Sequence, residues 1–197
     1  MDPTTTGTAN ATTSPAVKGA GINSLIRMLR QMSDPARFAE FERHLPPHTA
    51  SLITRPRLPQ EWIPLQDAAG LYAAAVTHLF DGDMSRLFDV GRQQLRNDLS
   101  TIYRVFMRVA SPAFVASRAS ALYEVYGRDA GTLRVGARTD TTLEFILADR
   151  PFPSPAYFEA MRGAIAGTLE LTGVRDVSVT IVDERGPDHR VYLAKWR

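Results

Sequence analysis

The sequence predicts an α+β domain, with helices in its N-terminal two thirds and a four-stranded antiparallel sheet in its C-terminal third. Apolar residues recur at helical spacing over residues 21–128, and they alternate with polar residues in four segments after residue 131. A helix that begins at Ser154-Pro155 separates the two strand pairs. The expected unit is therefore ββαββ over residues 131–197, with the N-terminal helical subdomain packed on the sheet.

Composition excludes several classes of protein. The 197 residues suffice for one domain, which we place at residues 21–197. The net charge is only +2 and the basic residues are scattered, so we expect no nucleic-acid partner. The absence of cysteine excludes disulfides, thiolate metal sites and cysteine nucleophiles. No apolar run is long enough to span a membrane, and no signal-peptide pattern occurs, which favours a cytoplasmic protein.

The N-terminal segments differ in composition. Residues 1–20 are rich in Thr, Ala and Gly and are expected to form a disordered tail. Apolar residues between Ile22 and Met32 predict an amphipathic helix, and Asp34-Pro35 predicts the start of a second. The proline-broken stretch 49–64 reads as a loop, seated on the body by Trp62.

Three further helices are expected before the sheet. Pro64 opens the first of them. Helical spacing then extends from Met84 to Val109, and the polar run at residues 97–100 predicts a break within it. Ser111-Pro112 starts the third, which Gly127 ends.

The last third ends in an alternating strand over Val191–Trp196, reached through a turn at Gly186-Pro187-Asp188. We expect this final strand at an unprotected edge of the sheet. An exposed edge invites pairing with a second copy, and several helices carry ample apolar surface. The sequence therefore predicts a homodimer.

No motif indicates catalysis. The four histidines are His44, His48, His78 and His189, and none forms a paired metal-ligand spacing on one helix. His78 could be read as a haem ligand or as a partly exposed surface residue, and the second interpretation is favoured. Glycine-rich phosphate loops and the GxSxG elbow are also absent. We therefore expect a protein that is not an enzyme.

Aromatic residues on the helices before the sheet suggest a different use. A hollow between helices and sheet is a common place for a small apolar ligand. The predicted ligand-binding residues are Arg92, Tyr103, Phe106 and Tyr123. Arg92 would supply charge-assisted hydrogen bonds, and the aromatic side chains would supply apolar walls.

Several short stretches resemble a known bacterial family. They are Leu87–Arg92, Ser111-Pro112, the helix end at Gly167–Gly173 and the strand Val191–Trp196. They are similar to a paralogous family of unknown function that is expanded in myxobacteria. That family is distantly similar to haem–nitric-oxide-binding (H-NOX) domains and to 4-vinyl reductase-type ligand-binding domains. The resemblance covers about Leu58 to Trp196, and it implies a helical subdomain capped by an antiparallel sheet and used in sensing or regulation.

The departures from those relatives limit what the resemblance implies about cofactors. The Tyr-x-Ser-x-Arg motif that grips haem propionates in H-NOX domains is absent. No histidine occurs between Met84 and Tyr126, where a proximal ligand would be sought, and the zinc-binding cysteines of some vinyl-reductase-type domains are missing. Neither haem nor zinc is carried over, so no cofactor is expected.

The expected function is thus a non-enzymatic regulatory or sensory domain that binds a small ligand or a protein partner, as a homodimer. The alternative is a structural or scaffolding module that binds a protein without a small ligand. A sensor should contain an apolar cavity with a few convergent polar groups, whereas a scaffold should expose an apolar patch and lack a cavity. An enzyme should show an open cleft with paired titratable groups.

Overall fold

The computed structural model describes residues 14–102 and 111–197, and it divides them into seven helices and seven strands. The helices are α1 (Gly19–Gln31), α2 (Pro35–His44), α3 (Pro47–Thr54), α4 (Leu65–His78), α5 (Arg86–Ile102), α6 (Pro112–Tyr126) and α7 (Pro155–Glu170). The strands are β1 (Ala16–Lys18), β2 (Trp62–Pro64), β3 (Gly127–Arg128), β4 (Thr132–Arg138), β5 (Thr142–Ala148), β6 (Ser178–Gly186) and β7 (His189–Lys195). None of these helices is long and apolar enough to cross a membrane.

Three helix starts follow from side-chain caps that the sequence predicts. The carboxylate of Asp34 accepts a hydrogen bond from the backbone N–H of Ala36 at 2.8 Å. The hydroxyl oxygens of Ser111 and Ser154 likewise accept from N–H groups three residues further on. Each cap is followed by proline at the first helical position, where its missing N–H costs nothing.

The four-stranded sheet has the order β4-β5-β7-β6 and is antiparallel throughout. This arrangement confirms the α+β class and the ββαββ unit. The position expected for the final strand is wrong, because β7 pairs with β5 on one side and with β6 on the other. The edges are β4 and β6, so β7 offers no free edge for a second copy, and that argument for a homodimer no longer holds.

Helix α7 separates two hydrophobic cores. Phe158, Ile165 and Leu169 of α7 pack with the sheet. Ala156 and Ala160, on another side of the same helix, belong to the core of the N-terminal helices. The helices from α1 to α4 therefore pack on α7 and α5, whereas α6 packs directly on the sheet through Val115, Ala116 and Ala119, as the sequence predicts for the helical subdomain. This layering arises because α7 is apolar on two sides, so it is buried between both cores.

A second, three-stranded sheet was not predicted. It has the order β2-β1-β3, and Val17 of β1 lies opposite both Ile63 and Gly127. Strands of two or three residues are too short to show an alternating pattern. Strand β1 and the start of α1 fall within the segment expected to be a tail. Residues 14–20 are thus structured, and residues 1–13 lie outside the described part.

Two helix boundaries also differ from expectation. Helix α3 occupies part of the stretch 49–64 that was expected to be a loop. Its proline, Pro47, does not prevent a helix, because it stands at the first helical position, where proline is tolerated. Helix α5 continues through residues 97–100 without the expected break. Its polar residue Asp98 accepts a hydrogen bond from the Ser24 hydroxyl at 2.7 Å, so its side chain contacts α1 instead of interrupting the helix.

Candidate functional site

Helices α5 and α7 touch through their backbones along a line of glycines, which we call the glycine seam (Gly91, Gly163 and Gly167). A Cβ atom added at Gly163 would lie 1.9 Å from the carbonyl oxygen of Phe88. One added at Gly91 would lie 1.9 Å from the carbonyl oxygen of Ala160. Only glycine permits so close an approach. The seam therefore fixes α5 and α7 side by side, and both helices contribute residues to the cavity beside it.

The cavity has a volume of about 230 Å³ and lies where the helices meet the sheet. Strands β1, β3, β4 and β5 and helices α1, α4, α5, α6 and α7 all contribute to its lining. Its apolar walls include Ile22, Leu95, Val115, Leu133, Phe145 and Ile165. This is the hollow between helices and sheet that the sequence suggests as a place for an apolar ligand.

Among the described residues of the cavity lining, Arg150 is the most buried charged group, with 3% of its surface exposed. Its Nη1 donates to the hydroxyl of Tyr123 at 2.8 Å and to the carbonyl oxygen of Ala130 at 3.1 Å. Its guanidinium carbon lies 3.4 Å from the centroid of the Tyr157 ring, a cation–π contact. No hydrogen-bond partner for its Nε exists among the described residues, and none of their carboxylates forms an ion pair with it.

Unusual backbone conformations hold Arg150 in place. Asp149 and Asp129 adopt positive φ angles of 55° and 50°, and Gly131 has a φ of 95°. A Cβ added at Gly131 would lie 2.7 Å from the carbonyl oxygen of Ala148, so the two turns are in close contact. Residues in this left-handed region are uncommon and cluster at functional sites. The two turns bring the Ala130 carbonyl to the Arg150 guanidinium.

Tyrosine hydroxyls form part of the polar lining. Burial raises the pKa of Tyr123, and the neighbouring Tyr157 raises it further. Burial likewise raises the pKa of Tyr72, whose ring meets that of Tyr157 edge-on with centroids 5.7 Å apart. Both hydroxyls therefore stay protonated and neutral at physiological pH. The Tyr123 hydroxyl donates to the Ala130 carbonyl at 2.8 Å and completes a ring of three hydrogen bonds with Arg150.

Other polar residues of the lining connect α5 to α1. The Gln94 side chain donates to the carbonyl oxygen of Gly21 at 3.0 Å. Burial raises the pKa of Asp98, so the charged form of this carboxyl is disfavoured. Lys18 has partners, because its ammonium lies 3.8 Å from the centroid of a Trp62 ring. These side chains therefore already have partners, whereas the Arg150 guanidinium has no carboxylate partner among the described residues.

The residues predicted as ligand contacts are not all brought together. Tyr123 lines the cavity. Arg92 instead forms an ion pair with Glu170, with 2.6 Å between Nη2 and Oε1, and it is not among the residues that line the cavity. The hydrogen bond with Glu170 raises the pKa of Arg92. Tyr103 and Phe106 lie outside the described residues.

Arg150 and Tyr157 were not predicted from the sequence. Alternation in β5 places Leu143, Phe145 and Leu147 on the core face, which would put residue 150 on the opposite face. The strand ends at Ala148, and the positive φ of Asp149 reverses that expectation. The sequence offers one signal for Arg150, which is its position between the end of a strand and Pro151. Such a position is too common to single out a functional arginine.

Comparisons with known proteins identify the fold. No family model matches the chain, and no curated protein matches it significantly. A solved H-NOX from T. tengcongensis superposes with a TM-score of 0.68, at 16% identity over 91% of this chain and 97% of the other. An Fe(II) unliganded H-NOX from K. algicida gives 0.67, at 11% identity over 91% and 96%. The chain has the H-NOX fold.

An oxygen-binding H-NOX domain related to soluble guanylate cyclases gives a TM-score of 0.66, at 16% identity over 91% of this chain and 95% of the other. The resemblance stated from the sequence is thereby confirmed as a likeness of fold.

The H-NOX fold implies haem, and the residues of this cavity do not fit it. Haem iron is held by histidine, cysteine, methionine or tyrosine. None of the four histidines lines the cavity: His44 and His78 stack on each other at 4.8 Å, His48 approaches Asp67, and His189 begins β7. Cysteine is absent from the chain.

Of the remaining haem-ligand types, the described lining holds tyrosines and one methionine, Met161. The Tyr72 and Tyr123 hydroxyls are kept neutral by burial, and the Tyr123 hydroxyl is engaged by Arg150. Within the described ranges, no cluster of three or more His, Asp or Glu side chains could hold a metal ion. The H-NOX fold is thus present here without a histidine for the iron.

Proposed function

We propose that this chain is a non-enzymatic sensory domain that binds a small, largely apolar organic molecule in the cavity beside the glycine seam. The observation that supports this most is the cavity itself, which combines apolar walls with a few convergent polar groups. That combination is the one expected of a sensor and not of a scaffold. The H-NOX fold supports the same class of function, because an H-NOX neighbour binds a small ligand, oxygen.

The cavity also argues against catalysis. Among the described residues, its titratable side chains are Lys18, Asp98, Arg150 and the tyrosines, and burial keeps Tyr72 and Tyr123 protonated. No histidine contributes to the lining to act as a general base near neutral pH. In this proposal Tyr123 forms part of the ligand wall. Arg92 acts on the ligand only through the position of α5, and Tyr103 and Phe106 stay predictions.

The proposed response to the ligand is a change in a protein contact. Helix α6 lines the cavity with Val115 and Ala119, and its other side exposes Phe114 and Val125. The two exposed residues lie eleven positions apart, which places them on one face of the helix. A ligand that shifts α6 would move this face. In this proposal the homodimer forms through the exposed face of α6. Sedimentation at tens of micromolar tests the homodimer directly.

The test is native mass spectrometry of gently purified protein, with its ultraviolet-visible spectrum and with decanol as an added neutral probe. We expect a mass excess or saturable decanol binding, without a Soret band. Ala164 lines the cavity from α7, so Ala164→Phe should fill it and abolish binding. Ala73→Phe, on an exposed position of α4, is the matched control and should bind as the natural chain does.

Two results would contradict the proposal. The natural chain could fail to retain a molecule and fail to bind decanol. Alternatively, Ala164→Phe could bind decanol as tightly as Ala73→Phe, which would place the probe outside the cavity. A Soret band in the natural chain would show instead that haem is bound in spite of the missing histidine.

A further inference from the structure

Arg150 differs from the other arginines that the structure places against aromatic rings in the sheet core. Arg162 lies over Phe88, with 4.4 Å from guanidinium carbon to ring centroid, and its guanidinium is paired with the carboxylate of Glu159. Arg190 lies over Phe158 at 4.3 Å and has the carboxylate of Glu184 at 3.6 Å. In both cases a carboxylate from the chain balances the buried or half-buried charge.

For Arg150 the described residues supply no such carboxylate. A guanidinium is always charged, and a buried charge without a counter-charge is strongly unfavourable. Its hydrogen bonds to described atoms all come from Nη1, and they end on one phenol and one backbone carbonyl, both neutral. The buried Nε has no described partner. The guanidinium is therefore only partly satisfied, and it lines an otherwise apolar cavity.

The other charged groups of the lining do not replace Arg150 as an anchor. Lys18 already lies over Trp62 and reaches the carbonyl oxygen of Gln60 at 3.5 Å. Asp98 accepts from the Ser24 hydroxyl, and in its ionised form it would repel an anion. The part of the lining that the structure describes thus has one under-satisfied cation, just beyond the end of β5, and hydrocarbon over most of its remaining surface.

We propose that the ligand carries a carboxylate that binds the Arg150 guanidinium, attached to an aliphatic body that fills the apolar part of the cavity. The inference rests on the proposed function and adds the chemical class of the ligand. A planar guanidinium presents its N–H groups in the geometry that a carboxylate accepts. The Tyr157 ring covers one face of the guanidinium and leaves its edge for that contact.

The test compares three ten-carbon probes that differ only in the head group: decanoate, decanol and decylamine, at about neutral pH and below the concentrations at which they aggregate. Calorimetry on the natural chain should give decanoate an affinity about 10- to 100-fold higher than decanol, as expected for charge-assisted hydrogen bonds. Decylamine should bind more weakly than decanol.

The variants locate the anchor. Arg150→Met should reduce decanoate to the affinity of decanol and leave decanol binding nearly unchanged. Arg150→Lys keeps the charge without the fork of donors and should retain part of the preference. Arg162→Met is the matched control, because it removes a ring-stacked arginine that does not line the cavity, and the full preference should persist. Circular dichroism melts show which variants are folded. If Arg150→Met is unfolded, the decanoate preference is compared between Arg150→Lys and the natural chain.

The outcomes separate this inference from the function on which it rests. Equal affinities for decanoate and decanol would overturn the carboxylate inference and leave a cavity that binds neutral molecules. A preference for decylamine would also overturn it and would assign the anchor to Asp98. A decanoate preference that survives Arg150→Met would move the anion site elsewhere. Failure of all three probes on the natural chain would overturn the proposed function as well.

Discussion

Two neighbouring residues of α7 face two different regions of the molecule. Gly163 meets the backbone of α5 in the glycine seam, where an added Cβ would lie 1.9 Å from the Phe88 carbonyl oxygen. Ala164, the next residue, lines the cavity. The helix has a small residue at both positions, but one brings two backbones into contact and the other leaves space open. Small side chains in this helix therefore allow close packing in one direction and leave cavity volume in another.

The strongest test of this contrast is Gly163→Ala. Alanine favours a helix over glycine by about 1 kcal/mol, but here its methyl group would push α5 and α7 apart. We expect the free energy of unfolding to fall by about 3 kcal/mol, the upper part of the range for overpacking. Urea titration followed by circular dichroism measures it.

Gly70→Ala provides the matched control for that measurement. Gly70 is exposed on α4, and its added Cβ would come no closer than 3.7 Å to the Thr49 hydroxyl oxygen. This variant should gain about 0.5–1 kcal/mol from helix propensity and from a less flexible unfolded chain. If Gly163→Ala gains stability in the same way, the seam is not tightly packed.

The second prediction concerns the end of the seam, where Glu170 of α7 binds Arg92 at 2.6 Å and Arg96 at 3.0 Å from α5. Glu170→Gln should lower the free energy of unfolding by about 1 kcal/mol, because the carboxylate is mostly buried and shared by two arginines. Asp183→Asn breaks the exposed pair with Arg185 and should change stability little. An equal loss in both variants, or a loss for Glu170→Gln that is insensitive to salt, would contradict this account.

The third prediction tests the cavity side of α7 through Ala164→Leu. In ligand-free protein the larger side chain should enter open space and raise the free energy of unfolding by about 0.5–1 kcal/mol. The same variant should weaken decanol binding. A destabilisation comparable to that of Gly163→Ala would mean that the two regions are equally packed, and the contrast between them would fail.

The smallest effect is expected from Tyr72→Phe, and only at alkaline pH. Burial raises the pKa of Tyr72 in the folded state, so the unfolded state ionises first, near pH 10. The stability from this residue is complete below pH 10 and is lost as the pH rises further. The phenylalanine variant should therefore lose less stability above pH 10 than the natural chain, as seen in unfolding free energies measured at pH 9 and 11. Identical pH profiles would contradict this prediction.

The fold was largely accessible from the sequence, and the reasons are local. Period-two alternation predicted β5, because every second residue of that strand is buried in the core. Side-chain caps followed by proline gave the starts of α2, α6 and α7. The order of the strands could not be predicted. The position of β7 between β5 and β6 depends on contacts between residues far apart in the sequence, and local sequence patterns do not show these.

The site was accessible only in part. Tyr123 was predicted from the position of aromatic residues on helices over a sheet, and the structure places it in the cavity lining. Arg150 was missed because its direction depends on the positive φ angle of Asp149, a single backbone torsion beyond the end of a strand. Arg92 was predicted to supply charge-assisted hydrogen bonds to a ligand, but it forms an ion pair with Glu170, 78 positions along the chain. The sequence shows which residues are charged but not which of those charges find partners.

The two tryptophans of the chain stand in different sheets, with Trp62 in β2 and Trp196 just beyond β7. Trp62 lies between the ammonium of Lys18 and the guanidinium of Arg128, and Trp196 is 8% exposed in the sheet core. Lys18 also belongs to the cavity lining, so a molecule that enters there alters the surroundings of one indole and leaves the other in its apolar core. The chain thus carries an intrinsic fluorescent reporter beside its cavity and an internal reference away from it.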